Sequence, residues 1–247
     1  MNKEAKAKFS NVYEDSKRAE AYSKLKFDKT YYLAYRDLPR IISEHTSGKN
    51  ACDFGCGTGR STRFLQSLGF KTIGIDISLE MITIARHLDP HGIYKHINDA
   101  DFSSLLPSSY DLVLSAFTFD NIPTMDKKVS LFKGLSDLLT PTGTIINLVS
   151  SPEIYTNEWA SFTTKDFFEN ATAQSGDIVR IITTDIKDTR PCYDIFWSVE
   201  DYHKVYDDAG LDIIDTHKPL ATGKEPYTWV NETQIAPWTI YVLKKKR

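Results

Sequence analysis

At 247 residues, with 41% hydrophobic and 26% charged side chains, the chain suits one α/β domain with additions and excludes a disordered, fibrous or disulfide-stapled protein. A net charge of −3 gives no overall attraction for nucleic acid or an anionic membrane, and the one dense basic run, Lys244 to Arg247, reads as a solvated end after a final strand. Three cysteines, Cys52, Cys56 and Cys192, are too few and too scattered for a disulfide framework or a zinc site; a reducing compartment is expected, and no metal.

In chain order, Met1 to Lys8 carries lysines without an apolar run behind them, unlike a signal peptide. No stretch approaches the length of a membrane span, so a cytoplasmic location is expected. Lys17 to Leu25 and Thr30 to Ser43 then read as amphipathic helices that lie across the carboxyl edge of a sheet. Short apolar, β-branched runs follow at Ala51 to Phe54, Thr72 to Ile75, Ile93 to Ile97, Leu112 to Ala116 and Thr144 to Val149. Their spacing is that of βα units, and near-continuous apolar runs suit strands covered on both faces. Helical patterns fill the gaps: Thr62 to Leu68 stopping at Gly69, a helix capped by Ser78 through Met81, Ile82 and Ala85, and Asp126 to Leu139 ending at a Thr140-Pro141-Thr142-Gly143 turn. The alternation predicts an α/β fold, a doubly wound and mostly parallel sheet.

After Val149 the regular alternation stops. All four tryptophans (Trp159, Trp197, Trp229, Trp238) lie beyond residue 150, together with much of the remaining aromatic content. Ile178 to Ile186 reads as a strand, and Val199 to Ala209 as a helix capped by Ser198 and stopped at Gly210. Leu211 to Ile214 and Thr239 to Leu243 read as closing strands. The expected organisation is an N-terminal helical lid (1–49), a cofactor-binding core (50–149), an inserted aromatic-rich cap (150–197) and a segment that completes the core sheet (198–247).

The first strand breaks into Asp53-Phe54-Gly55-Cys56-Gly57-Thr58-Gly59-Arg60-Ser61 and opens a helix. Glycines there let backbone approach a ligand closely. Asp76 stands at the end of the second strand, where this topology places an acidic residue on ribose hydroxyls. The loop departs from G-x-G-x-x-G: its glycines alternate, and a carboxylate, Asp53, precedes them. A diphosphate is repelled by such a carboxylate, whereas a ligand with an ammonium and a sulfonium is attracted.

These stations resemble class I S-adenosylmethionine-dependent methyltransferases of the small-molecule type. Asp53 to Gly59 resembles the family's first motif and Gly74-Ile75-Asp76-Ile77-Ser78 its second strand. Asn98-Asp99-Ala100 resembles its G-D-A, Tyr110 to Ala116 its fourth strand, and Leu138 to Thr144 the turn before its fifth. The resemblance covers residues 50 to 149 and implies S-adenosylmethionine as cofactor and S-adenosylhomocysteine as product. It puts Asp76 on the ribose, Ile77 against the adenine and Asp99 on the adenine amino group. Gly55, Cys56, Gly57, Thr58 and Ala100 belong to the same cofactor set, and Ser115 and Ala116 join it as backbone neighbours. Arg60 either pairs with the methionine carboxylate or starts a helix; Met81 is either core or adenine wall. Asn98 stands where the family often has Gly. Asp120-Asn121 replaces the pair of histidines many members carry, so no family rule about a base transfers.

Methyl transfer from a sulfonium is an in-line displacement that asks mainly for positioning and exclusion of water. No triad is needed. Asp120, after the fourth strand, is the candidate acid-base or substrate-orienting group, with a capping aspartate as the structural alternative. Tyr22 or Tyr31 in the lid, and Tyr155, Trp159 and Trp197 in the cap, are candidate acceptor contacts or else packing. Together they favour a small apolar or aromatic acceptor. Competing expectations are a non-catalytic binder of S-adenosylmethionine or S-adenosylhomocysteine, a nicotinamide-dependent oxidoreductase, and a macromolecular methyltransferase. The last is disfavoured by the acidic balance and by the lack of a base-methylation tetrapeptide after Ser115.

Overall fold

The computed structural model describes residue 20 and residues 23–246, and the predicted helix at Lys17 to Leu25 lies largely outside them, as does Tyr22. Two short helices, α1 (Thr30–Arg36) and α2 (Leu38–His45), lead into β1 (Asn50–Phe54), α3 (Arg60–Ser67), β2 (Lys71–Asp76), α4 (Leu79–Leu88), β3 (Ile93–His96) and β4 (Tyr110–Ala116). There follow α5 (Met125–Leu138), β5 (Leu139–Ser150), β6 (Phe162–Thr163), β7 (Ile178–Thr183), β8 (Cys192–Ile195), α6 (Val199–Asp208), β9 (Leu211–His217) and β10 (Trp238–Lys245).

The main sheet has the order β3-β2-β1-β4-β5-β10-β9. It is parallel through β5, and β10 runs antiparallel to both its neighbours. This is the doubly wound α/β sheet the alternation predicts. From β1 the chain winds outward to β2 and β3, and β4 then returns on the other side of β1. The loops after β1 and β4 therefore part, leaving a crevice at the carboxyl edge. The strands flanking it are buried on both faces: Cys52, Leu112, Val113, Leu114, Ile145 and Ile146 are inaccessible to solvent. Each such side chain contributes about 1.5–3 kcal/mol by leaving water, so the crevice stands on the most rigid part of the sheet. The edge strand β9 alternates exposed residues with buried or half-buried ones instead.

Two expectations are corrected. The single helix over Thr30 to Ser43 is two, divided at Asp37, because Pro39 in the first turn of α2 has no N–H to offer the Tyr35 carbonyl. The Thr140–Gly143 turn is absorbed into β5. Tyr110 pairs with Leu139 and Leu112 with Thr144, so the Pro-Gly stretch bulges out of register rather than ending the strand. The helix caps stand as read: Ser78 accepts from the Met81 N–H and Ser198 from the Asp201 N–H.

Strands β6, β7 and β8 form a separate three-stranded sheet whose β8 packs on the 3-10 turn Thr118–Asn121 following β4. The N-terminal helices are tied to the same edge. The Thr30 hydroxyl donates to the buried Glu232 carboxylate at 2.6 Å, the Ser161 N–H donates to Thr30 Oγ1 at 3.0 Å, and Trp238 Nε1 donates to the Thr30 carbonyl at 2.8 Å. One threonine thus joins α1, the β6 region and β10.

Candidate active site

The loop after β1 is shaped by left-handed glycines. Gly55 has φ 71° and Gly57 φ 52°. A Cβ on Gly55 would lie 2.1 Å from Thr118 Oγ1, whereas one on Gly57 would meet nothing within 4 Å. The first glycine is required by close packing of the two diverging loops, the second by its conformation alone. The loop is laced to β2: the Gly55 and Cys56 N–H groups donate to the Ile75 carbonyl at 2.9 and 3.0 Å, and the Gly57 N–H donates to Asp76 Oδ2 at 2.8 Å. Asp76 Oδ1 accepts from the Ser78 N–H at 2.8 Å. Burial raises the Asp76 carboxyl above the ordinary carboxylate range, against the pull of those amides. The Ser78 cap starts α4 where Met81 and Ile77 face the same space.

Asp53 is fully buried, and it is not among the residues that line the crevice. Its Oδ2 accepts from the Ser61 and Thr62 hydroxyls at 2.7 and 2.6 Å, while Oδ1 finds no hydrogen-bond partner among the described residues. Burial pushes its pKa up to about 6, opposed by those two hydroxyls. The carboxylate is thus held behind the glycine turn rather than in front of it.

At the end of β4 the backbone takes a left-handed step at Phe117 (φ 65°), uncommon for an aromatic residue, and turns into the Thr118–Asn121 segment. This step brings Asp120 under the carboxyl end of β5. Asp120 is buried, accepts from the Ser150 N–H at 3.1 Å and the Ser150 hydroxyl at 2.8 Å, and is raised above the usual carboxylate range by burial. Behind it, Lys128 of α5 is fully buried. Its ammonium donates to the Phe119 carbonyl and lies 5.1 and 5.0 Å from the Trp197 and Tyr202 ring centres. Burial lowers the lysine, and the negative charge of Asp120 opposes that shift.

These elements enclose one cavity. The structure brings Gly55, Gly57, Asp76, Ile77, Met81, Ala116, Asp120, Tyr31 and Tyr155 to its wall. It does not bring Asp53, Cys56, Thr58, Arg60, Asp99, Ala100, Ser115, Trp159 or Trp197 there. Asp99 is half-exposed and ion-paired with Lys127. Arg60 packs over the Phe27 and Tyr31 rings, behind the wall. The indoles of Trp159 and Trp197 are buried and donate to the Ile154 and Ile122 carbonyls. Phe117, Thr118, Ser150, Phe162, Asp194 and Trp238 line the cavity without having been singled out in the sequence. Lys128 was also missed, though it had a signal: it falls in the phase of the apolar stripe Leu131, Phe132, Leu135 of α5, where a lysine is out of place.

Away from the cavity, His45, Asp215 and His217 converge between α2 and β9, with imidazole nitrogens 3.4 and 3.1 Å from Asp215 Oδ2. Among the described residues this is the group whose geometry could hold a metal ion, and it was not expected from the scattered histidines.

Residues 51–143 match the family model described as a methyltransferase domain. The N-demethylindolmycin N-methyltransferase of Streptomyces griseus is 26% identical over 207 residues, 81% of this chain and 86% of that protein. An uncharacterized methyltransferase of Bacillus mycoides is 33% identical over 119 residues, 48% of this chain and 54% of that one. Among solved structures, the CcbJ methyltransferase of Streptomyces caelestis shares the fold (TM-score 0.66, 14% identity, 97% of this chain and all of that one). An S-adenosylmethionine-dependent methyltransferase of Clostridium acetobutylicum does too (TM-score 0.60, 15% identity, 97% and 98%). Residues 51–143 thus form a methyltransferase domain, on a sheet of the fold shared with S-adenosylmethionine-dependent methyltransferases. Among the described residues no helix is long and apolar enough to cross a membrane.

The residues present fit that cofactor. Gly57 leaves the space its Cβ would take open, and Asp76 stands at the cavity wall with Ile77 and Met81 beside it.

Proposed function

We propose that the enzyme methylates a small molecule with an aromatic or apolar body, in a cavity that joins the cofactor crevice to a wall of rings. The observation that carries this reading is the continuity of one lining. It runs from Gly55, Gly57 and Asp76, past Asp120, to Tyr31, Phe162 and Trp238. S-Adenosylmethionine supplies an electrophilic methyl on a sulfonium, which an acceptor lone pair takes while the departing bond's electrons stay on sulfur.

Asp76, Ile77 and Met81 would hold the ribose and adenine. Gly55, Gly57 and Ala116 would give backbone access beside them. The engaged N–H groups of the loop favour this ligand over a dinucleotide: Gly55, Cys56 and Gly57 already donate to Ile75 and Asp76, so they have no donors left for a diphosphate. Asp120 would touch the acceptor and orient it or take its proton. Residues 1–49 would act as a lid and 150–197 as an acceptor cap, with Tyr31 and Tyr155 their inward faces. The remaining residues of the sequence-derived set, Cys56, Thr58, Arg60, Asp99, Ala100 and Ser115, would shape the pocket from behind. Trp159 and Trp197 would support the cap. The relative from S. griseus is named for transfer to nitrogen, which favours nitrogen over oxygen or carbon here.

Titration calorimetry with S-adenosylhomocysteine and with NADH tests the cofactor half. Saturable binding of the first and none of the second is expected, and the reverse would end the reading. Transfer of labelled methyl to a pool of small amines, phenols and thiols tests the acceptor half.

A further inference from the structure

The charge of the cavity wall narrows the acceptor further, and this step rests on the methyltransferase reading above. Every charged side chain that lines the cavity is an aspartate: Asp76, Asp120 and Asp194. No described lysine, arginine or histidine joins them. Asp76 belongs to the cofactor end, where its two oxygens take the Gly57 and Ser78 amides. Asp120 and Asp194 come from two elements that pack on each other, one from the turn after β4 and one from β8 of the small sheet. Tyr155 lies between them: its hydroxyl donates to Asp194 Oδ2 at 3.2 Å, and its ring hydroxyl feels the charge of both carboxylates. Lys128 offsets Asp120 only from behind, since it is fully buried and outside the lining. Around this acidic end stand Tyr31, Phe117, Phe162 and Trp238, in mutual ring contact at centroid separations of 4.7–6.0 Å.

We propose that the acceptor is an amine that enters as an ammonium on an aromatic or apolar body, its charge taken by Asp120 and Asp194 and its body by the wall of Tyr31, Phe117, Phe162 and Trp238. A carboxylate or phosphate acceptor would meet like charge from both aspartates, and a neutral alcohol would forgo their attraction. The ring faces add to the attraction for a cation. The chemistry balances. An ammonium has no lone pair, so one N–H proton leaves first, with Asp120 the carboxylate placed to receive it. The freed pair forms the new nitrogen–carbon bond as the carbon–sulfur bond breaks and its electrons stay on sulfur. Positive charge thereby moves from sulfur to nitrogen, and Asp194, still ionised once Asp120 has taken the proton, is the carboxylate left to stabilise it.

The test is titration calorimetry on the full chain saturated with S-adenosylhomocysteine. The ligands are 2-phenylethylamine and tryptamine, their alcohol isosteres, and 3-phenylpropanoate. At least one amine should bind about tenfold or more tighter than its alcohol, a difference of about 1.4 kcal/mol, and the carboxylate should bind weakest. Asp194→Asn should cut the amine preference to about threefold or less while S-adenosylhomocysteine affinity and the melting temperature stay at wild-type values. Tyr155→Phe, which keeps the carboxylate, should weaken the preference less, and it serves as the second probe if Asp194→Asn does not fold. No amine exceeding its isostere, including no probe binding at all, overturns the proposal and leaves the methyltransferase reading standing. Failure of S-adenosylhomocysteine itself to bind removes both.

Discussion

Lys128 reaches from α5 to the carbonyl of Phe119, the peptide immediately before Asp120, so a buried cation holds in place the turn that presents the cavity's central carboxylate. The two charges also oppose each other's burial: the lysine pulls the Asp120 pKa down and the aspartate pulls the Lys128 pKa up, each against desolvation.

Replacing Lys128 by Met removes that compensation and leaves the Phe119 carbonyl without its partner. A loss of about 1–3 kcal/mol in stability is expected. The sharper effect is on pH dependence. If catalysis needs ionised Asp120, activity rises with pH through the Asp120 pKa. Without the lysine that pKa moves higher, so the acidic limb of kcat/KM should shift to higher pH in Lys128→Met. A limb that does not move would mean that Asp120 is not the group titrating, or that Lys128 is neutral throughout.

Asp120→Asn isolates the carboxylate itself. The amide retains an oxygen for Ser150 but neither the charge nor a proton acceptor of comparable basicity. Turnover should fall by about 10²–10³-fold, within the span of a lost acid-base or charge-stabilising group, and S-adenosylhomocysteine affinity should hold. Unchanged kcat and unchanged KM for the acceptor would reduce Asp120 to a loop support for Ser150.

Much of this was written in the chain. Alternating apolar runs and helical patterns predicted the five parallel strands because those strands are buried on both faces and leave little ambiguity of period. That Asp76, Gly55 and Gly57 reach the cavity wall was readable, because a doubly wound topology brings the ends of β1 and β2 to one crevice. The acceptor end was not. Trp238 and Phe162 reach the cavity from strands far apart in sequence, and Trp159 and Trp197, equally aromatic, are spent on packing and on backbone carbonyls. Aromatic content alone does not say which ring faces a cavity. Asp53 was legible as a cofactor-loop carboxylate, but its direction depended on Ser61 and Thr62, which the spacing does not orient.

That buried Asp53 makes stability fall as pH rises. Its folded pKa of about 6 lies above the ordinary carboxylate value of 3.8. Between those values the folded state binds more proton than the unfolded chain, so unfolding free energy decreases with rising pH. The cost is absent below about pH 4 and complete above about pH 6, and amounts to about 3 kcal/mol. In Asp53→Asn this part of the dependence should vanish, as read from urea midpoints across pH 4–7 without ligand. Asp120 and Asp76, also raised by burial, leave a smaller slope of the same sign; a flat wild-type profile, or a slope as steep in Asp53→Asn as in wild type, would assign the proton elsewhere.

The two glycines of the cofactor loop separate packing from ligand access. Gly55→Ala puts a methyl 2.1 Å from Thr118 Oγ1 at a positive φ, so the β1 and β4 loops must move apart and the fold should lose several kcal/mol. Gly57→Ala meets nothing within 4 Å and has only its φ of 52° to bear, about 1–2 kcal/mol. Its methyl would project into open space beside the Asp76 carboxylate that its own N–H holds at 2.8 Å. The expected order is therefore inverted between the two readouts. Gly55→Ala loses more melting temperature. Gly57→Ala keeps most of its stability and loses about tenfold or more in S-adenosylhomocysteine affinity. If Gly57→Ala bound the nucleoside as tightly as wild type, the open face of the loop would not be where the cofactor lies.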